Sequence, residues 1–313
     1  MRRVSSLEPR NSRTPRLRKF QRVPIARRRI CHKVRRVTRR TLISLSVFCG
    51  LTFAAFAEDP ENWKRPFPAF HVVGNLYYVG TEDLACYLIT TRQGHILINT
   101  GLADSAPLIR AGIEKLGFQL SDIKILLTMQ AHYDHVAAMA EMQKATGAKM
   151  YATPGDRPAL ESGGKVDGFS DAAAYHFAPV HVDHVLKDGE IIRLGGTEVK
   201  VLLHSGHTKG SVSYAFNVDD NGAKKPVLLV NLLSVVQPLA GNANYPNIVD
   251  DYEHSFASQK KLHPGIWLAG HASQFDMQNK LRAGSFDDPK GYTEAVERNE
   301  KAYKERLAKE RGK

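Results

Sequence analysis

At 313 residues, 42% of them hydrophobic, the chain is long enough for one large domain or two small ones, with ample material for a core. Its formal net charge of +12 would suit a nucleic-acid or anionic-membrane partner, but 16 of the 44 Lys and Arg, and only Glu8 of the 32 acids, lie in residues 1–57. The remainder, with 28 bases against 31 acids, has no excess with which to hold a nucleic acid.

Residues 1–57 have the build of an export leader: "VRRVTRR", the apolar "TLISLSVFCGLTFAAFA", then "EDP". Ala55 and Ala57 make a small-x-small cleavage site with Glu58 as the mature start. The Arg39-Arg40 pair, after Thr38 and shortly before Leu42, fits twin-arginine export, and a Sec route fits nearly as well. The long charged region ahead of the apolar run is either a real extension or the product of a start codon placed too far upstream. An apolar run of about 17 residues is marginal for a membrane span, and it ends in a cleavage-like site, so the expectation is export to the periplasm with no stable membrane anchor afterwards. Cys31 and Cys49 would leave with the leader, and Cys86, alone in the mature chain, reads as a small buried hydrophobe in the strand-like "DLACYLITT".

From residue 58 the chain alternates strands and helices. "NLYYVG", "ACYLITT" and "HILINTG" read as three adjacent strands, and "SAPLIRAGIEKLGF" places Leu108, Ile109, Ile113 and Leu116 at helical spacing. Then come a strand "IKILLTM", a loop, a helix from near His135 to "ATGA", and a strand "KMYAT". "ESGGKVDGFSD" reads as a surface loop. "EIIRLGG", "TEVKVLLHS", "SVSYAFNV" and "PVLLVNLLS" add strands, followed by helices around 250–262 and 291–309. The order predicts one domain over 58–313 with two packed sheets and outer helices.

The loop after "IKILLTM" crowds chemistry together. In "QAHYDH", His132, Asp134 and His135 stand within four positions of one another, two residues after Gln130. Imidazole nitrogen and carboxylate oxygen are zinc ligands; the same residues read alone also fit a polar loop with Asp134 as a helix N-cap. "HSGHTKGS" and "IWLAGHASQF" each set a histidine, His207 and His271, just past a strand, where a site at one edge of the sheets would recruit it. His71, His95, His176, His181, His184, His254 and His263 lack that setting, and His204 reads as the end of its strand.

In order, "NLYYVGTEDLACYLITTRQGHILINTG", "QAHYDH", "SGHTKGS" and "AGHAS" resemble the metallo-β-lactamase superfamily, and in detail its subclass B3, from about Trp63 to the final helix. The resemblance implies an α/β fold, the αβ/βα sandwich of two mixed β-sheets with outer helices, with a zinc hydrolase site between the sheets. It implies a first metal site of Gln130, His132 and His207 and a second of Asp134, His135 and His271, holding one or two Zn2+ per chain. Gln130 stands where the family usually has histidine, and an amide oxygen is a weaker zinc ligand than imidazole, so the first site is expected to bind more loosely. The implied chemistry is hydrolysis of the β-lactam amide bond of a small-molecule antibiotic by zinc-activated water, with Asp134 as a catalytic residue that orients the water. Ser234 is either a substrate-carboxylate binder or a loop serine bonded to backbone.

Departures from the family pattern narrow the substrate. Related glyoxalases and lactonases carry a metal-bridging aspartate after a strand, whereas "LLVNLLSV" offers Asn231 and Leu232. Asn99 replaces the usual aspartate of a "strand, Asp, x, Gly" turn, and Ala137 and Ala138 replace glycines. The alternatives are a hydrolase of the same fold acting on another ester, lactone or amide, and a binding protein without catalysis. The loops "GGKVDGFSD" and "SVVQPLAGNANYP" are expected to border the pocket. Mass spectrometry of the exported protein should find its N-terminus within a few residues of Glu58; an intact leader on the periplasmic form would refute cleavage.

Overall fold

Strands that are apolar at nearly every position need cover on both faces. The computed structural model describes residues 58–166 and 173–312 and shows how this chain supplies that cover. The leader, with Arg39, Arg40, Cys31, Cys49 and Ala57, lies outside the described residues, as does the 161–171 loop from Asp167 onward.

A helical turn, α1 (Glu61–Lys64), precedes β1 (Phe70–Val73), β2 (Leu76–Tyr78), β3 (Tyr87–Thr91) and β4 (Gly94–Ile98). Next come α2 (Ala106–Lys115), β5 (Ile123–Leu127), α3 (Tyr133–Val136), α4 (Met139–Thr146), β6 (Lys149–Ala152), α5 (Arg157–Ser162) and β7 (His184–Val185). These seven strands form one sheet in chain order, antiparallel from β1 to β4 and parallel from β4 to β7. The second sheet contains β8 (Ile191–Leu194), β9 (Thr197–Leu203), β10 (Val212–Asp220), β11 (Ala223–Val230) and β12 (Ile266–Ala269) in the order β12-β11-β10-β9-β8. Only β11 and β12 pair in parallel there. The remaining helices are α6 (Ile248–Gln259), α7 (Met277–Ala283) and α8 (Pro289–Arg311). Both sheets are mixed, as the resemblance implies.

The period of two decides which residue faces which layer. Tyr87, Ile89, Ile96, Ile98, Ile125 and Leu127 point between the sheets, where they meet Val199, Val201, Tyr214 and Phe216. Their strand neighbours Cys86, Leu88, Leu97 and Leu126 point the other way, beneath Ile109 and Ile113 of α2 and Met139 and Met142 of α4. Cys86 is buried, and that burial raises its thiol pKa well above the ordinary value, as suits a packing residue. Across the second sheet, Tyr252 and Phe256 of α6 and Tyr292 and Tyr303 of α8 complete the core, with the Tyr252 and Tyr303 rings stacked 5.0 Å apart.

Three expectations shift. The helix expected from near His135 is two helices, α3 and α4, separated at Ala137 and Ala138. The strand in "PVLLVNLLS" ends at Val230, so Asn231 to Ser234 leave the ladder. β1 extends the first sheet beyond the three adjacent strands expected, through a Gly74 turn at φ +53° that puts Phe70 opposite Tyr78.

Candidate metal centre

Parallel pairing brings strand ends to a common rim. β4 runs with β5 and β11 with β12, while β9 shares the direction of β11 because both lie antiparallel to β10. The carboxyl ends of these strands release Asn99, Gln130 through His135, His207, Asn231 through Ser234, and His271. Contacts between the sheets close the rim: Val212 N–H donates to Met129 O at 2.9 Å, and Leu84 bridges to His271. A cavity of about 340 Å3 opens there, lined by Gln130, His132, Asp134, His135, His207 and His271 together with Trp63, Tyr133, Tyr175, Asn231, Leu232 and Ser234.

Asp134, His135 and His271 are gathered as the sequence suggests. Their ligand atoms all lie within 4.8 Å of one another. The Asp134 carboxylate Oδ2 is 3.2 Å from His135 Nε2 and 3.3 Å from His271 Nε2. Ligands at the usual zinc distances sit about 3.3 Å apart on the edge of a tetrahedron, so these spacings suit a single ion. Asp134 lies inside the first turn of α3, where His132 holds the N-cap position, so its carboxylate is not a helix cap. The ring of His135 fits because residue 270 is glycine: a Cβ there would lie 2.9 Å from His135 Cε1.

Of the first set, His132 and His207 meet directly, Nδ1 to Nε2 at 3.1 Å. The other nitrogen of His207, Nδ1, donates to the carbonyl of Ser234 at 2.8 Å, which fixes the tautomer and leaves a lone pair on Nε2 facing His132. Gln130 lines the same cavity, and its buried Oε1 has no hydrogen-bond partner among the described residues. A buried carbonyl oxygen costs stability unless something meets it, and a metal beside two imidazole nitrogens would. The residues present therefore fit the zinc that the resemblance implies.

Electrostatics divide the two sets. Burial, reinforced by the neighbouring His207, lowers His132 to about 3, and burial lowers His207 to about 4, so both rings are neutral. Burial alone would lower His271 as well, but hydrogen bonds to Asp134 and Asp83 and their charges raise it to about 9. Asp134 is held well below the ordinary carboxylate value: burial opposes this, and the charge and hydrogen bonds of His135 and His271 outweigh it. One set thus concentrates charge and the other has none.

Asp83, which the sequence reading passed over, supports the candidate site. Its Oδ2 meets His271 Nδ1 at 3.1 Å and accepts from Trp63 Nε1 at 3.2 Å, while its Oδ1 accepts from Ser273 N–H at 2.8 Å. A carboxylate in this position is the kind of partner that would orient the imidazole of His271 if it bound a metal. The signal available was an acidic residue in "TEDLAC", just before a buried run leading to the rim. An aromatic wall also escaped notice: the Tyr133 and Tyr175 ring centroids are 5.0 Å apart and Trp63 is 5.4 Å from the His271 ring. Tyr133 donates its hydroxyl proton to Asp59 at 2.7 Å. His204, expected to finish its strand, lies just past the end of β9, buried with Nδ1 2.7 Å from Ser213 Oγ and Nε2 3.1 Å from Ser258 Oγ. Of the loops expected to border the pocket, 234–246 does so through Ser234 and Val236.

A sequence model of the metallo-β-lactamase superfamily matches residues 80–220. Among solved structures, the metallo-β-lactamase GOB-18 from Elizabethkingia meningoseptica is 44% identical, with 80% of this chain and 96% of that one covered and a TM-score of 0.77. The class B3 di-zinc metallo-β-lactamase LRA-12 from an Alaskan soil metagenome is also 44% identical, covering 80% and 98% at a TM-score of 0.77. BJP-1, a subclass B3 metallo-β-lactamase of Bradyrhizobium japonicum, is 33% identical, covering 80% and 98% at 0.76. Curated relatives include a hydroxyacylglutathione hydrolase of Jannaschia sp., 34% identical over 113 residues, which are 36% of this chain and 35% of that protein. Another from Rhodopseudomonas palustris is 31% identical over 133 residues, 42% of this chain and 43% of that protein. The chain thus matches less than half the length of these curated relatives. Fold, spaced motifs and the identity held across almost the whole length of the solved relatives agree that this chain belongs to the metallo-β-lactamase superfamily.

Proposed function

We propose that the protein is an exported zinc hydrolase that opens the amide bond of β-lactams, with Gln130, His132 and His207 holding one zinc and Asp134, His135 and His271 the other. The observation that carries this reading is the pairing in one cavity of a charged ligand cluster with two neutral histidines beside the unpartnered oxygen of Gln130. Bound zinc lowers the pKa of a water molecule to roughly 7 and polarises the carbonyl under attack.

The chain's own groups supply position and shape. The Asp134 carboxylate, fixed between two imidazoles, is placed to accept a hydrogen bond from the attacking water and orient it. Asp83 keeps the His271 ring from turning. Ser234 uses its carbonyl to hold His207 and lines the cavity, with its hydroxyl 3.2 Å from the same nitrogen, and that hydroxyl is our candidate partner for a substrate carboxylate. With the Tyr133 hydroxyl engaged by Asp59, that side chain offers the substrate its ring, alongside Trp63 and Tyr175.

A second reading, thioester hydrolysis, draws on the printed activity of the curated relatives, the hydroxyacylglutathione hydrolases. Two features weigh against it. The described lining of the cavity includes no lysine or arginine for the carboxylates of a glutathione conjugate, and Asn231 and Leu232 offer no carboxylate to bridge two metals.

Purified protein assayed with a penicillin, a carbapenem, a hydroxyacylglutathione thioester and an acyl-homoserine lactone separates these readings. β-Lactam turnover should be lost with chelator and recovered with added zinc. Turnover of the thioester without turnover of either β-lactam would contradict the proposal. Replacing His271 with alanine should remove about one zinc per chain and lower hydrolysis by at least about 100-fold, beyond the usual cost of losing a supporting residue. A variant with the parental zinc content would remove His271 from the ligand set.

A further inference from the structure

Gln130 stands at the end of a three-residue segment, Thr128 to Gln130, in which five of the six backbone polar groups have a close polar partner. Thr128 O accepts from the Tyr214 hydroxyl at 2.8 Å, and Met129 N–H donates to Asn99 Oδ1 at 2.9 Å. Met129 O accepts twice, from Val212 N–H and from Asn231 Nδ2, each at 2.9 Å. The Thr128 hydroxyl donates to Gln130 O at 2.6 Å and lies 3.3 Å from Gln130 N. In this closely tied segment the side-chain oxygen of Gln130 has no hydrogen-bond partner among the described residues.

Two of those ties are made by side-chain amides, those of Asn99 and Asn231. They grip opposite ends of residue 129, one at its N–H and the other at its carbonyl. Asn99 adopts a left-handed backbone at φ +62°, which asparagine tolerates better than most residues, and its Nδ2 donates to Ala85 O at 3.1 Å. Asn231 is anchored in the second sheet: its N–H donates to Ser213 Oγ at 2.9 Å and its carbonyl accepts from Gln259 Nε2 at 2.8 Å. An ionised aspartate at 231 would have no proton for Met129 O and would set a carboxylate against a carbonyl. The amide at this place is therefore a chemical requirement of the contact.

We infer that Asn231 is the positioning residue for Gln130: by holding the Met129 carbonyl it fixes the peptide plane from which Gln130 projects, and so aims Oε1 at the first metal site. The role extends the proposed function and rests on its assignment of Gln130 as a ligand. A neutral amide is an adaptable and weak ligand whose side chain has several rotatable bonds, so a fixed backbone matters more for it than for a ring on a shorter stem.

Zinc titration of the metal-free protein tests this. The parent should bind in two steps, the weaker assigned to Gln130, His132 and His207. Asn231→Ala should weaken that step by about 10- to 100-fold and leave the tighter step in place, which also shows that the variant is folded. In a Gln130→Ala background the same substitution should add less than about twofold, because the residue through which it acts is gone. An unchanged weaker step in Asn231→Ala, an equal loss in both backgrounds, or loss of both steps together would each overturn the positioning role. A parent that binds only one zinc would overturn the two-zinc ligand set and this inference with it, whereas failure of the variants alone leaves the proposed function standing.

Discussion

The carboxylate of Asp134 lies between two imidazoles that arrive from different sheets. His135 follows β5 of the first sheet on α3, and His271 follows β12 of the second. A carboxylate this deeply buried is stable only when opposite charge and hydrogen bonds surround it, and withdrawing one partner from such a pair costs about 3–5 kcal/mol. Satisfying Asp134 therefore requires the two sheet edges to be in register at the rim. Leu84 bridging to His271, Ala85 N–H donating to Gly270 O at 3.0 Å and the missing side chain at Gly270 serve that requirement.

Once the rim is set, the two halves of the site differ in how they are stabilised. The Asp134 half is electrostatically self-sufficient: Asp83 on the far side of His271, itself held at about 2 by hydrogen bonds and charge that outweigh its burial, keeps that imidazole charged between two carboxylates. Metal binding there would displace the His271 proton, so one positive charge gives way to the two of a zinc ion. The half at His132 and His207 has neutral rings and the unmet oxygen of Gln130, so an ion brings charge into a place that had none. Asn99 and Asn231, amides on either side of Met129, keep charge away from the strand end that feeds this half. The proposed pair of a tight and a loose site would follow from those environments as well as from the identity of the ligand.

Much of this was legible in the sequence, for definite reasons. Strands such as "HILIN" announce themselves because every residue is buried on one face or the other, and His207 and His271 were identifiable from their place after apolar runs. Asp134, His135 and His271 come together as their motifs imply. What the sequence hid depends on contacts over long separations. Asp83 touches His271 across 188 positions, and Asn231 touches Met129 across 102, so neither has a local pattern to reveal it. The division of one expected helix into α3 and α4 was hidden for another reason, since Ala137 and Ala138 are good helix formers and the break falls where Ala137 N–H donates to the distant Gly101 O as well as to Tyr133 O. Ser234 has a role not foreseen for it, since its backbone carbonyl accepts from His207 Nδ1 while the residue lines the cavity.

The central claim is that one rim holds two metal positions, one charged and one neutral, with the oxygen of Gln130 completing the neutral one. Anomalous diffraction at the zinc edge from crystals grown with zinc addresses it directly. The account predicts two peaks: one bounded by Asp134, His135 and His271, the other by His132, His207 and Gln130 Oε1 at about 2.0–2.2 Å, the usual zinc–oxygen distance. A single peak, or a second peak from which the Gln130 side chain has turned away, would contradict it.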